Sequence, residues 1–189
     1  MSEAGDRLRL FSSLLLRWNG TLNLIAARDA DVVWNRHIAD SLQLAPLMPA
    51  GLTRAVDLGS GGGFPGLVLA IATGVAFDLI ESDRRKASFL RTAILETGAP
   101  ATVYCCRIET ADVAPADLVT ARALAPLPRL LPLASRFLTA DGVCLLLKGG
   151  RVEAELAAAD PAWIMRAERI PSQTGTDGIV LRIGGLRAR

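Results

Sequence analysis

The run Asp57-Leu-Gly-Ser-Gly-Gly-Gly-Phe-Pro-Gly66 constrains this chain more than any other feature. Five glycines in ten residues let a backbone turn sharply and approach a bound group closely. The run lies between a short apolar strand pattern, Ala55 to Leu58, and a helical pattern, Pro65 to Thr73. Pro65 suits a first helical position, where its missing N–H would be unpaired anyway. The helix start then faces a ligand with free donors. Gly61, Gly63 and Gly66 also fit the weak G-x-G-x-x-G spacing. In open α/β sheets the loop after the first strand is the usual floor of the ligand crevice. Glu81, 22 residues beyond Gly59 at the end of the next apolar run, is placed to accept hydrogen bonds from a ribose diol. Loop and acid together point to an adenosine-containing ligand with free ribose hydroxyls.

The rest of the chain supplies the frame such a loop needs. From Asp6 to Trp18, Leu8, Phe11, Leu14, Leu15 and Trp18 follow helical spacing. A second helix is expected after Asp29 as N-cap, through Val32, Trp34, His37, Ile38 and Leu42, closed by Pro46 and Pro49. Residues 1–50 thus form a helical extension packed on the core, and residues 51–189 the main fold, one structural domain overall. Within it, strands are expected near residues 55–58, 76–80, 102–105, 118–121 and 143–147, with helices at 65–73, 84–96, 127–138 and 152–159. Strands at 164–170 and 179–183, joined by the turn-like Gly175-Thr-Asp-Gly178, should finish the sheet as an antiparallel hairpin. Alternating strands and helices mean a doubly wound, Rossmann-like α/β sheet, seven-stranded and mostly parallel.

Composition removes several alternatives. A single histidine, His37, excludes H-E-x-x-H and His/Cys zinc sites, and no metal is expected. Cys105 and Cys106 are adjacent and Cys144 lies apart, matching neither a disulfide framework nor C-x-x-C, so a reducing compartment follows. Glu3 and Asp6 precede the first leucines and no small-residue cleavage site follows, unlike a signal peptide. The longest apolar stretch, from Phe64 to Phe77, is interrupted by Pro65, Gly66, Thr73 and Gly74, short of the ~18 clean residues of a membrane span. A soluble, cytoplasmic protein without a membrane partner is expected. Residues 121–189 carry 10 basic against 6 acidic residues, which permits an anionic partner on one face.

The nucleoside ligand can be narrowed further. No G-K-[ST] follows the glycines, so a P-loop is excluded. A dinucleotide needs helix N–H groups presented to a pyrophosphate, and Asp57 just before the loop would repel it. The same acid suits a ligand with a cationic amino group and a sulfonium. With Asp57-x-Gly59-x-Gly61-x-Gly63 and Glu81 in place, the chain resembles a class I S-adenosylmethionine-dependent methyltransferase. More narrowly, Gly59 to Gly66 is similar to the Gly-x-Gly-x-Gly-Phe/Leu-Pro-Gly loop of the bacterial 16S ribosomal RNA guanine-N7 methyltransferase family, formerly called glucose-inhibited division protein B. Other segments agree in order: Trp18-Asn19 with Asn23-Leu24, Arg36-His37-Ile38-x-Asp40-Ser41, Arg107-Ile108-Glu109, Arg122-Ala123 and Leu147-Lys148-Gly149. Ser60 and Gly62 stand where many members have Thr and Pro, and Glu81 where Asp is frequent. The tail beyond Gly150 is not matched.

The resemblance implies transfer of a methyl group from S-adenosylmethionine to N7 of a single guanine in 16S rRNA, leaving S-adenosylhomocysteine. It implies cofactor contacts by Gly59 and Phe64 in the loop, Ile108 and Glu109 beside the adenine, and Arg122 after the fourth strand, to which the residue reading adds Asp57, Gly61 and Glu81. The partner it implies is 16S rRNA or the small ribosomal subunit, and a monomer is expected. Guanine N7 has a lone pair and no proton, so no general base is required. Arg122, Lys148 and His37 are the positioning candidates. Arg122 pairs with the methionine carboxylate, an RNA phosphate or a nearby acid. Lys148 contacts phosphate or guanine O6, or snorkels to solvent. His37 forms a helix-packing unit with Asp40 and Ser41, or contacts RNA. Trp18 and Trp34 read as core rather than base-stacking platforms. Arg84-Arg85-Lys86 opens a helix, where cations oppose the dipole, and so is a candidate RNA contact alongside Lys148.

Rival acceptors lack their residues. Cytosine-C5 transfer needs a cysteine, usually after proline, and no cysteine here follows one. Amino-methylating enzymes use Asn/Asp-Pro-Pro-aromatic where this chain reads Thr-Ala-Arg122-Ala-Leu. A protein or small-molecule methyltransferase, an NAD(P)-dependent oxidoreductase and a nucleotide-binding regulatory module remain as alternatives.

Overall fold

A computed structural model of the chain describes residues 2–175 and 178–189. Among the described residues seven strands form one sheet: β1 (Arg54–Leu58), β2 (Ala76–Ile80), β3 (Ala101–Tyr104), β4 (Ala116–Arg122), β5 (Leu138–Lys148), β6 (Trp163–Pro171) and β7 (Ile179–Ala188). Their order is β3-β2-β1-β4-β5-β7-β6. β1 to β5 run parallel, and β7 pairs antiparallel with both β5 and β6. The expected C-terminal hairpin is present as paired strands; the middle of its turn, Thr176 and Asp177, lies outside the described residues.

The helices are α1 (Glu3–Leu22), α2 (Ala39–Leu42), α3 (Gly66–Thr73), α4 (Arg84–Thr97), α5 (Leu127–Ala134) and α6 (Val152–Ala159). They cover both faces of the sheet, which explains why the central strands read as near-continuous apolar runs. Alternation sorts side chains between two cores. Ala55, Phe77, Leu79 and Leu145 join the cluster that α1, α3 and α4 contribute to, while Val56, Leu58, Ile80 and Leu146 join that of α5 and α6. Asp57 and Thr120, opposite one another in the β1/β4 ladder, both fall on the α3 face.

The N-terminal extension shares the first core. α1 starts on Ser2, whose hydroxyl accepts from the Gly5 N–H, and buries Leu8, Phe11, Leu14 and Leu15. Phe11 meets Phe64 edge-on at 5.7 Å, so this helix lies directly beneath the glycine loop. Trp18 packs on Phe89 at 5.9 Å, as expected of a core residue, whereas Trp34 is exposed. The helix expected after Asp29 is instead a broken path: a 3-10 segment at Ala27–Val32, a π segment at Trp34–Ile38, then α2. Asp29 caps none of them. It is buried, with Oδ1 3.2 Å from Arg36 Nε and Oδ2 3.4 Å from His37 Nε2. Its contacts to the exposed Arg36 guanidinium and the His37 ring hold the carboxylate away from capping. Pro65 also departs from expectation, standing as N-cap of α3 rather than inside it.

Candidate functional site

The strand order reverses between β1 and β4, and the loops leaving their C-terminal ends build two neighbouring clefts there. The first, of about 680 Å³, is floored by Gly59 and Gly61 and flanked by Glu81, Ile108, Glu109 and Arg122. Its floor is backbone. Gly59, Gly61 and Gly63 have φ of +67°, +55° and +93°, the left-handed region that side chains other than glycine enter at a cost. A Cβ on Gly59 would come within 2.7 Å of Leu124 Cδ1, whereas one on Gly61 would meet only the Gly59 oxygen, 3.8 Å away. The loop is therefore closed at Gly59 and open at Gly61.

Glu81 props this loop. Its Oε2 accepts from the Gly61 N–H at 2.8 Å and its Oε1 from the Asp83 N–H at 2.7 Å. Each carboxylate oxygen retains a second lone pair, so the acid can still receive hydroxyl donors from the cleft.

Asp57 and Phe64 do not line the cleft. Asp57 is fully buried under the start of α3, and its Oδ1 accepts from Thr120 Oγ1 at 2.6 Å. A Cβ on Gly66 would lie 2.5 Å from Asp57 Cβ, so the absence of a side chain at Gly66 is what admits the acid. Burial pushes the Asp57 carboxyl up to about 6. The expected direct contact between Asp57 and a ligand amino group has no open path here, because the loop and α3 cover the carboxylate. Phe64 is buried on the α1 side, with its ring under the Arg122 guanidinium at 4.7 Å and beside His37 at 5.1 Å.

Arg122 ends β4 and borders both clefts. Its Nη1 lies 3.4 Å from Asp40 Oδ2 and 3.5 Å from the Arg36 carbonyl oxygen, both at the outer edge of hydrogen-bond range. The next residue, Ala123, has φ +50°, a strained conformation for alanine placed where the clefts meet. His37 sits behind Arg122. Burial, then the Arg122 charge, pushes its imidazole down to about 4, so it is neutral at pH 7. Among the described residues neither ring nitrogen has a hydrogen-bond partner, and the expected imidazole bonds to Asp40 and Ser41 are not formed. Ser41 Oγ donates instead to the His37 carbonyl at 2.7 Å.

The second cleft, of about 620 Å³, lies across Arg122–Ala125 from the first and is lined further by Asp40, Lys148, Arg151 and Ser172. Lys148 is not free to snorkel. Its ammonium pairs with Glu155 Oε2 at 2.6 Å and donates to the Ala125 carbonyl at 3.0 Å, while the same Oε2 accepts from the Leu127 N–H at 2.9 Å. β5 and α6 thereby clamp the wall between the clefts. Glu155 gave no signal in sequence, since its partners come from other elements.

The basic run at α4 needs no anion to explain its position. Asp83 is the N-cap, its Oδ1 accepting from the Arg85 and Lys86 N–H groups, and this carboxylate offsets the cations in the first turn. Arg85 also donates to the Thr21 carbonyl at 2.6 Å, tying α4 to α1. Arg84 is exposed, and Lys86 borders the first cleft. Among the described residues no group of three or more His, Cys, Asp or Glu could hold a metal ion, and no helix is long and apolar enough to cross a membrane.

A seven-stranded sheet in this order, with a glycine loop and an acid at the switch point, defines a class I S-adenosylmethionine-dependent methyltransferase. Solved structures bear out the fold: an O-methyltransferase from Bacillus cereus superposes with a TM-score of 0.61 at 18% identity, covering 92% of this chain and 90% of that one. A precorrin-6y C5,15-methyltransferase from Geobacter metallireducens gives 0.56 at 14% identity, over 85% and 90%. Within that class the family model described as rRNA small subunit methyltransferase G matches residues 5–177, and the chain belongs to this family. It is 57% identical to the ribosomal RNA small subunit methyltransferase G of Acidiphilium cryptum, over 95% of this chain and 84% of the relative. It is 52% identical to that of Rhodospirillum centenum, over 99% and 87%. The tail beyond Gly150, unmatched by motif, falls largely within these alignments.

Proposed function

We propose that this chain methylates N7 of a guanine in 16S rRNA of the small ribosomal subunit, with S-adenosylmethionine as donor, and acts in the cytoplasm as a monomer. The observation that carries the reading is the pair of clefts sharing the Arg122–Ala125 wall, one floored by bare backbone and the other walled by polar and cationic side chains. The donor set fits the cofactor. Gly61 leaves room for close approach, Glu81 supplies acceptors for a ribose diol, and Ile108 and Glu109, which the resemblance assigns to the adenine, line the same cleft. When bound, S-adenosylmethionine supplies an electrophilic methyl on a sulfonium.

Everything else is positioning. The chain needs no proton acceptor at N7, and neutral His37, enclosed behind Arg122, serves packing rather than base catalysis. Arg122 stays cationic and is placed to fix a carboxylate in the first cleft while orienting the wall that faces the second. Asp57 acts through the loop: it holds the β1/α3 junction from below. Arg151 at the mouth of the second cleft and exposed Arg84 supply phosphate contacts. Holding base and methyl in near-attack geometry is worth several kcal/mol, roughly 7 or more in favourable cases. The helical extension of residues 1–50 belongs to the same structural domain and walls the second cleft through Asp40.

The test is incubation with labelled S-adenosylmethionine and small subunits lacking the modification, followed by mapping of the label. One methyl on N7 of one guanine is expected. Label on protein, or on another base atom, contradicts the reading.

A further inference from the structure

The second cleft holds a feature that neither the family assignment nor the motifs account for. The N-terminal extension and the C-terminal hairpin meet over it through the side chains of Asp40 and Gln43. Gln43 Nε2 donates to Ser172 Oγ at 3.2 Å, its Oε1 accepts from the Gln173 N–H at 2.9 Å, and Thr174 Oγ1 donates to Asp40 Oδ1 at 2.8 Å. Gln43 Nε2 donates to the same Asp40 oxygen at 2.7 Å. Both acceptor positions of Oδ1 are thus filled, and the carboxylate is held from two sides. Asp40 lines the cleft, and its Oδ2 carries the long 3.4 Å contact to Arg122.

Among the described residues two carboxylates line this cleft, Asp40 and Glu155. Glu155 is committed to Lys148 and the Leu127 N–H. A guanine whose N7 faces the wall shared with the first cleft presents its N1–H and N2–H donors on an adjoining edge, and those donors require an acceptor. We propose that Asp40 is the guanine-reading residue, its Oδ2 accepting from the N1–H/N2–H edge of the target base. The inference rests on the guanine reading above and deepens it. Adenine, whose N7 is equally free of a proton, would set its N1 lone pair against the carboxylate and be rejected. Inosine, which lacks only the 2-amino group, would lose one donor.

The experiment uses small subunits reconstituted with guanosine, inosine or adenosine at the mapped target, and compares the wild-type chain with Asp40→Asn. For the wild type, inosine should lower kcat/KM about tenfold and adenosine by at least about a thousandfold. In Asp40→Asn, methylation of guanosine falls and the further inosine penalty shrinks to less than about twofold, with S-adenosylhomocysteine affinity by calorimetry unchanged within about twofold. Equal methylation of guanosine and inosine by the wild type overturns the proposal, as does the same inosine penalty in both proteins. Should Asp40→Asn fail to fold, Asp40→Ser takes its place in the second comparison, and equal methylation of guanosine and inosine by the wild type overturns the proposal regardless. No methylation of guanosine by the wild type would instead sink the functional reading, and the proposal with it.

Discussion

The two clefts on either side of Arg122–Ala125 are built from different materials. The first has a floor of peptide groups from consecutive residues, propped by one acid twenty residues on. The second is assembled from side chains of α2, β5, α6 and the β6–β7 hairpin, with bonds that span up to 134 positions of sequence. A backbone floor is set by glycine spacing and tolerates little change. A wall of side chains can be retuned residue by residue, which suits the partner that must be told apart from similar ones.

Substitutions can sharpen that contrast or break it. The largest effect should come from Gly66→Ala, whose Cβ would lie 2.5 Å from Asp57 Cβ under the first cleft. Overpacking together with disturbance of the Thr120 bond should destabilise by on the order of 4 kcal/mol, read by urea unfolding. Next come the two buried titrating groups, which behave oppositely. With its carboxyl raised to about 6 against an ordinary 3.8, Asp57 contributes stability that is present below pH 3.8 and lost as pH rises through 6. His37, lowered to about 4 from 6.5, contributes stability that is present above pH 6.5 and lost as pH falls through 4. Asp57→Asn keeps an acceptor for Thr120 and should gain about 2–3 kcal/mol relative to wild type between pH 4 and 7. His37→Gln should gain relative to wild type in the other direction, as pH falls from 7 to 4. Parallel curves for wild type and either variant would remove that residue from the account.

Arg122→Lys is the direct attack on the comparison, because this side chain borders both clefts. Loss of the planar fork should cost about 2 kcal/mol, roughly thirtyfold, in both S-adenosylhomocysteine affinity and methylation of small subunits. If only one of the two falls, Arg122 serves one cleft and not the wall. The smallest effect belongs to exposed Arg84. Arg84→Ala should lower the slope of log affinity for RNA against log salt by about one and leave cofactor binding unchanged.

How much of this was legible in the sequence follows from the same contrast. Five parallel strands, their helices and the glycine loop were readable because they rest on local apolar runs and short-range glycine spacing. The segment from residue 27 to 42 departs from expectation because Asp29, by type a good N-cap, turns its carboxylate to the Arg36 guanidinium and the neutral His37 ring. The burial of Asp57 could not be foreseen, since it depends on a missing Cβ at Gly66 rather than on anything at Asp57. The latch of Asp40, Gln43, Ser172 and Thr174, and the Lys148–Glu155 clamp, left no local pattern. Their partners are adjacent only after the sheet has closed.

The most direct test of the division between the clefts is calorimetric titration of S-adenosylhomocysteine into wild type and Gly61→Val. A Cβ at Gly61 meets only the Gly59 oxygen at 3.8 Å and so points into open space above the floor, while the φ of +55° costs an L side chain about 1–2 kcal/mol and a β-branched one more. The account predicts one binding site per chain in the wild type and its loss in a folded variant, with RNA affinity retained. Undiminished binding by the variant would mean that the glycine loop is not the cofactor's floor.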